Sequence, residues 1–258
     1  MRIRNLLIGV ISVLLLSSCG TEIKLAKRYV NESRQYKAAV YFPETAKVTL
    51  IQNEDGEYTK VLDSLNQDAF LDIVYASYAD AMRDYGVEVY IPEDPDHVQV
   101  DSAHWLVVVS QVEIQGLFTP YEVYLFDLID TYDYMFSLNT VNVAAWFDIN
   151  DGEWHPTLFC EHNLTDDFSS HVSYNRGEGS RYHYDIKTIK IDDVYNYAAY
   201  LGVLYADFTY NNMMNRFISD EMGKNQLVPR FKLRWDPYEK SLFLQEEDEG
   251  FVELKSEE

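Results

Sequence analysis

One stretch of the chain, residues 155–183, carries the side-chain types that zinc prefers, imidazole and thiolate. Its candidate ligands are His155, Cys160, His162, His171 and His183. Side chains alternate along a strand, so His155 and His162 would face opposite sides. No short paired spacing of the CxxC or HxxxH kind is present. We therefore predict polar loop histidines and a buried, inert Cys160, with no metal site and no cofactor.

Carboxylates are too numerous to indicate chemistry by their presence alone, because 43 Asp and Glu residues must form some close pairs by chance. Residues 93–101 could offer oxygen ligands to calcium but lack the glycine that a calcium loop needs. Residues 148–152 are equally well explained by a hairpin turn. The sequence contains no GxSxG elbow, phosphate-binding glycine loop or HExxH helix. It therefore predicts a protein that is not an enzyme.

A cluster of aromatic and basic residues is more informative. The stretch "FSSHVSYNRGEGSRYHYD" contains Tyr174, Arg176, Arg181, Tyr182 and Tyr184. Aromatic rings next to arginine can anchor a protein interface or stack on sugars, and the glycines permit an exposed hairpin. The chain has 21 tyrosines, and tyrosine also suits half-buried strand positions. A contact site for a partner or glycan and a purely structural role both remain open.

Composition limits the classes of partner. The net charge is −22, which makes nucleic acid and anionic lipid surfaces poor partners. A hydrophobic content of 47% is enough for one large domain, or two small ones, with real cores.

The first residues have the layout of a secretory signal peptide. Arg2 and Arg4 precede an apolar run from Leu6 to Leu16, which is too short to span a bilayer as a helix. Leu16, Ser17, Ser18 and Cys19 resemble the lipobox of bacterial lipoproteins. That resemblance implies cleavage before Cys19, lipidation of its thiol and a Gram-negative envelope. Gly20 in place of Asp implies the outer membrane, on its periplasmic or its outer surface.

Hydrophobic patterning predicts the order of the elements. Asp55–Gly56 and Asp151–Gly152 each predict a hairpin turn. Ser64 and Gln67 predict a capping box for a helix that Gly86 ends, and Asp192 or Asp193 predicts the cap of a second helix, with small residues that allow close approach to a sheet. The predicted strands are 38–42, 47–52, 57–62, 87–91, 104–116, 138–150, 153–163, 231–235 and 241–245, and residues 164–185 predict a loop or irregular hairpin.

These elements predict an α+β fold with a mixed, mostly antiparallel sheet and two main helices packed on one side. Their succession over residues 38–222 resembles the layout of small envelope lipoproteins: ABC-transport auxiliary lipoproteins, the lipopolysaccharide-assembly lipoprotein and penicillin-binding-protein activators. We therefore divide the chain into a signal peptide (1–18), a lipidated N-terminus and tether (19–37), a single α+β domain (38–245) and an acidic C-terminal tail (246–258).

The resemblance implies a non-catalytic protein that is attached to the membrane by its N-terminal lipid. Such a protein docks on an envelope protein and assists outer-membrane assembly or transport. A surface glycan-binding lipoprotein is the alternative, and an envelope hydrolase is a minor one.

Overall fold

The computed structural model describes residues 20–94, 97–126, 131–153, 155–177, 179–245 and 250–254. The predicted signal peptide, Cys19 and the acidic run 246–249 lie outside these residues. Residues 20–32 form a helix, α1, and two further helices are α2 (Gln67–Asp84) and α3 (Ile191–Gly223). The strands are β1 (Lys37–Tyr41), β2 (Lys47–Leu50), β3 (Glu88–Tyr90), β4 (His104–Phe126), β5 (Thr131–Asn150), β6 (Thr157–Thr165), β7 (Asp167–Asn175), β8 (Gly179–Lys187), β9 (Leu233–Asp236), β10 (Ser241–Leu244) and β11 (Phe251–Leu254).

The main sheet is mixed, as predicted. Its strand order is β11-β6-β5-β4-β1-β3, and β2 also pairs with β4. Strand β1 is parallel to β3 and β4, and β2 is parallel to β4. The pairings of β4 with β5, β5 with β6 and β6 with β11 are antiparallel, and the first two are the longest in the sheet. The predicted α+β fold is confirmed.

One face of the sheet is buried under the helices. A β-bulge between Val109 and Gln111 shifts the alternation of β4. Val112 and Ile114 therefore continue the buried row that Trp105 begins. The bulge also decides which residues face away from the helices farther along β4. Among the described helices, none is both long enough and apolar enough to cross a membrane.

Helix α3 packs against helix α2 as well as the sheet. We expected its small residues to approach the sheet, but Gly202 lies against Val74 and Ser77 of α2. The helix begins after Lys190, whose backbone N–H donates to the Asp193 carboxylate at 2.9 Å. Asp193 therefore supports the cap from inside the helix. The prediction that Asp192 or Asp193 is the cap residue is wrong, because Lys190 occupies that position.

The predicted tether is wrong over the described residues 20–37. Helix α1 is docked along α3, with Ala26 and Tyr29 buried in the core. The Ser33 hydroxyl is hydrogen-bonded to the Tyr210 hydroxyl at 2.9 Å. The sequence did not indicate this packing, because two of the buried residues, Glu22 and Ser33, are polar. Both form hydrogen bonds with residues far along the chain.

Three other local predictions need correction. The turn at Asp55–Gly56 forms, but β2 pairs with β4 and residues 57–62 form no strand. Helix α2 is capped by Asn66, whose side chain accepts the Ala69 N–H, and not by Ser64. The predicted C-terminal tail contains β11, which pairs with β6 and buries Phe251.

Candidate functional site

Strands β4 and β5 continue past the helix-covered part of the sheet. We call this extension, residues 117–126 and 131–138, together with the hairpin β7–β8, the aromatic arm. At about 3.3 Å per residue, the ten residues of β4 in the arm extend about 33 Å. Strand β4 contacts β1 and β2 only up to Gly116. Pro120 therefore lies where β4 has β5 as its one described neighbour, a position that tolerates the missing N–H.

Aromatic rings join the two hairpins of the arm. Tyr121 and Phe136 are directly opposite each other in the β4–β5 register, on the face away from the helices. The ring of Phe168 on β7 lies 4.8 Å from Tyr121 and 4.9 Å from Phe136, between centroids. Tyr184 on β8 lies 4.7 Å from Phe136. This packing holds β7–β8 against β4–β5 without a shared strand ladder.

A ladder of tyrosine rings lies farther out on the same face. Tyr134 stacks on Tyr182 at 5.3 Å, and Tyr182 stacks on Tyr184 at 6.1 Å. The Tyr182 hydroxyl is buried and has no hydrogen-bond partner among the described residues. Its neighbour Tyr184 remains 57% exposed.

The arm exposes an unusual number of large apolar side chains. They are Tyr121, Tyr134, Met135, Val172, Tyr174 and Tyr184. Exposed apolar residues that cluster on one projection mark an interaction surface more often than isolated ones do.

The structure separates the five residues that the sequence singled out. Tyr182 and Tyr184 lie together in the ring ladder. Tyr174 is 76% exposed near the end of β7, and Arg176 lies in the turn that follows. Arg181 alternates with Tyr182 and therefore lies on the opposite face of the hairpin. The tyrosines belong to one surface, but the arginines do not complete a single pocket with them.

The outward face of β7–β8 carries a pair of histidines. His171 and His183 are opposite each other in the register, and their rings stack at 4.8 Å. The Ser173 hydroxyl is 2.7 Å from Nε2 of His183. The other candidate ligands lie on β6 or before it. Within the described ranges, no group of three His, Cys, Asp or Glu side chains could hold a metal ion.

Cys160 lies inside the core. Its side chain is fully buried on β6. Burial raises the pKa of the Cys160 thiol to about 12, so the thiolate that acts as a nucleophile is scarce at neutral pH.

A cavity of about 200 Å³ lies between α2, α3 and the hairpin β9–β10. Its floor contains the buried carboxylate of Asp207, which accepts hydrogen bonds from the hydroxyl of Tyr85 and from Asn211. Arg234 of β9 donates to the same carboxylate at 2.7 Å. Burial raises the pKa of Asp207, while Tyr85 and Arg234 act in the opposite direction. Its contact with Tyr85 joins α3 to the end of α2, and its contact with Arg234 joins α3 to β9, which indicates a structural role.

No protein family, curated protein or solved structure matches this chain. Its function must therefore be inferred from its own residues and their arrangement.

Four residues of the arm escaped the sequence analysis: Tyr121, Tyr134, Phe136 and Phe168. A weak alternating signal was present on β4, where Glu122 separates Tyr121 from Val123, but on β5 the apolar Met135 between Tyr134 and Phe136 breaks the alternation. Pro120 and the neighbouring polar residues obscured the two strands.

Proposed function

We propose that this chain is a lipid-anchored, non-catalytic envelope protein that docks on a partner and assists outer-membrane assembly or transport. The observation that carries the proposal is the aromatic arm, because its exposed rings are held on a rigid base of packed rings. Aromatic anchors supply much of the binding energy in protein interfaces.

The relative position of the two ends of the protein supports this function. Gly20, which follows the proposed lipidated Cys19, lies beside the C-terminal end of α3, because Glu22 contacts Arg230 and Arg28 contacts Glu221. The arm lies beyond the other end of α3, where Asp166 bonds to both Asn139 and Ile189. A lipid at Cys19 would therefore leave the arm directed away from the bilayer.

Photocrosslinking in Gram-negative cells tests the docking role. Tyr184 on the arm and Tyr200 on α3 are almost equally exposed, at 57% and 56%, so they form a matched pair. Each is replaced in turn by benzoylphenylalanine. We expect an envelope protein to crosslink at position 184 and not at 200. Equal crosslinking, or none from either position, would contradict the proposal.

Glycan binding is the second candidate, favoured by the ladder of Tyr134, Tyr182 and Tyr184, because exposed rings also stack on sugars. It predicts that the protein binds to members of a polysaccharide panel and that Tyr184→Ala weakens this binding more than Tyr200→Ala does. Protease accessibility on intact cells is expected as well, since this candidate is a glycan-binding lipoprotein of the cell surface.

A further inference from the structure

The loop after α3, residues 224–232, exposes apolar side chains although hydrogen bonds hold its backbone in place. We call it the basal loop. Leu227 donates its N–H to the carbonyl of Met222 at 3.0 Å, and Gln226 donates to Gly223 at 2.9 Å. Even so, Val228 is 79% exposed, and Leu227 and Phe231 are also exposed. A fixed backbone thus presents three apolar side chains to the surroundings.

The basal loop is attached to the beginning of α1. The carboxylate of Glu22 is buried and accepts the backbone N–H of Arg230 at 2.7 Å. Glu22 is the third residue after Cys19 in the sequence. Since consecutive Cα atoms are about 3.8 Å apart, covalent geometry keeps Cys19 close to the loop. Ile23 of α1 adds another exposed apolar side chain at this end.

The charge of this end differs from that of the whole protein. Residues 223–235 contain four basic residues and no Asp or Glu, and residues 20–34 contain four basic and two acidic residues. Together they hold eight of the 21 basic residues and only two of the 43 acidic ones. Two of the eight lie elsewhere in the fold, since Arg34 is against Gly86 and Arg234 is bonded to Asp207. Glu22 is buried, and Glu32 lies 3.6 Å from Arg28. Other acidic side chains near this end are Glu221, which is bonded to Arg28 and Lys224, and Asp220, which is bonded to Arg216 and lies near Asp151 and Glu153. Lys24 and Lys27 are exposed.

We propose that the basal loop and the exposed side of α1 form a membrane-contacting surface. Leu227, Val228 and Phe231 enter the interfacial layer of the bilayer, and the neighbouring lysines contact lipid headgroups. The inference rests on the proposed lipid anchor at Cys19, which brings this end of the protein to the bilayer. Apolar side chains in the interface and basic side chains above anionic lipids both strengthen such contacts. The net charge of −22 makes an anionic surface a poor partner for the protein as a whole, but most of that charge lies away from this end.

A fluorophore at position 228 tests the contact in the full-length acylated protein. Val228→Cys provides an exposed thiol for a nitrobenzoxadiazole label, while Cys160 is fully buried. Tyr174→Cys on the arm is the matched control, since Tyr174 and Val228 are 76% and 79% exposed. Both proteins are reconstituted in vesicles of phosphatidylcholine, with or without phosphatidylglycerol. We expect nitroxide-labelled lipid to quench the label at 228 and aqueous iodide to quench the label at 174.

The electrostatic part has its own comparison. Replacing Lys24 and Lys27 together by Glu should reduce quenching by nitroxide lipid at position 228 in the vesicles that contain phosphatidylglycerol. The same replacement should have little effect in phosphatidylcholine alone. An equal effect in both lipids would overturn the role of the lysines.

The intact mass of the protein separates the two proposals. Absence of acyl chains would overturn the proposed anchor, and this inference with it. An acylated, vesicle-bound protein whose label at 228 is quenched by iodide as strongly as the label at 174 would overturn the membrane-contacting surface alone.

Discussion

Gly202 of α3 packs directly against the backbone of Val74 in α2, with no room for a side chain between the two helices. A Cβ at this position would overlap the Val74 carbonyl oxygen and lie 2.8 Å from Cβ of Ser77 and 2.9 Å from the Tyr78 nitrogen. Two of these three atoms belong to the backbone, so a rotamer change cannot relieve the overlap. The close approach of α2 and α3 therefore depends on this glycine.

Gly202→Ala should destabilise the protein by about 1–3 kcal/mol, the usual cost of overpacking a core. Helix propensity alone would predict the opposite sign, a gain of about 1 kcal/mol. Gly223→Ala is the control, because nothing lies within 4 Å of a Cβ at Gly223. Urea unfolding measures both free energies. A neutral Gly202→Ala variant would contradict the observed helix packing.

Phe136→Ala should detach the hairpin β7–β8 from the arm while the core stays folded. The half-buried ring of Phe136 contacts both Phe168 and Tyr184. The decrease in the free energy of unfolding should stay below the roughly 3–5 kcal/mol that a Phe→Ala change costs at a fully buried position. Hydrogen exchange by mass spectrometry should show faster exchange in residues 167–187 and little change in α2. Tyr174→Ala, at an exposed position on the same hairpin, should leave the exchange pattern unaltered.

Cys160 should resist thiol reagents in the native protein. A pKa of about 12 leaves roughly one thiolate in ten thousand at pH 8, and burial blocks access. Peptide-resolved mass spectrometry after treatment with iodoacetamide should find Cys160 unmodified until denaturant is added. The exposed thiol of Val228→Cys, in the same sample, should react rapidly. Fast native labelling of Cys160 would contradict its position in the core.

The elements that could be predicted from sequence are those whose signals are local. Asp151–Gly152 forms the predicted turn between β5 and β6, with Gly152 at φ +90°. The apolar spacing of α2 and the stop at Gly86, with φ +86°, also hold. The docking of α1 could not be predicted, because Glu22 and Ser33 depend on Arg230 and Tyr210, about 200 positions away along the chain.

Part of the candidate site was also predictable, because its sequence signals are local. Local composition predicted a loop or an irregular hairpin at residues 164–185 and singled out its tyrosines; the structure has the hairpin β7–β8 there, and the rings beneath it come from β4 and β5. Only the paired register brings Phe136 opposite Tyr121 and under Phe168.

Acid should weaken the contact between α1 and α3. Hydrogen bonds from Lys224 and then from Arg28 lower the pKa of Glu221 from its usual value of 4.5. The ionised Glu221 therefore makes its full contribution to the free energy of unfolding above pH 4.5. This contribution is lost as the pH falls through the lowered pKa that Glu221 has in the folded protein. Titration by NMR should give a pKa below 4.5 for Glu221, and Lys224→Ala should raise it.

Glu113 provides the control for this titration. Its pKa is lowered in the same way by Lys47 on β2. Lys47→Ala should raise the pKa of Glu113 and leave that of Glu221 unchanged. If Lys224→Ala left the pKa of Glu221 unchanged, the ion pair between Lys224 and Glu221 would not form in solution.

The docking of α1 limits the region in which the aromatic arm can meet a partner. An extended, flexible segment over residues 20–36 could reach roughly 55–60 Å and would let the arm move over a wide range of positions above the bilayer. Because α1 is packed on α3, these residues do not provide that reach. The 20 residues of β5 span about 65 Å, so a lipid at Cys19 would keep the arm within roughly that distance of the membrane. Encounter with a membrane-bound partner is then confined to a layer beside the bilayer, which raises the effective concentration of each protein for the other.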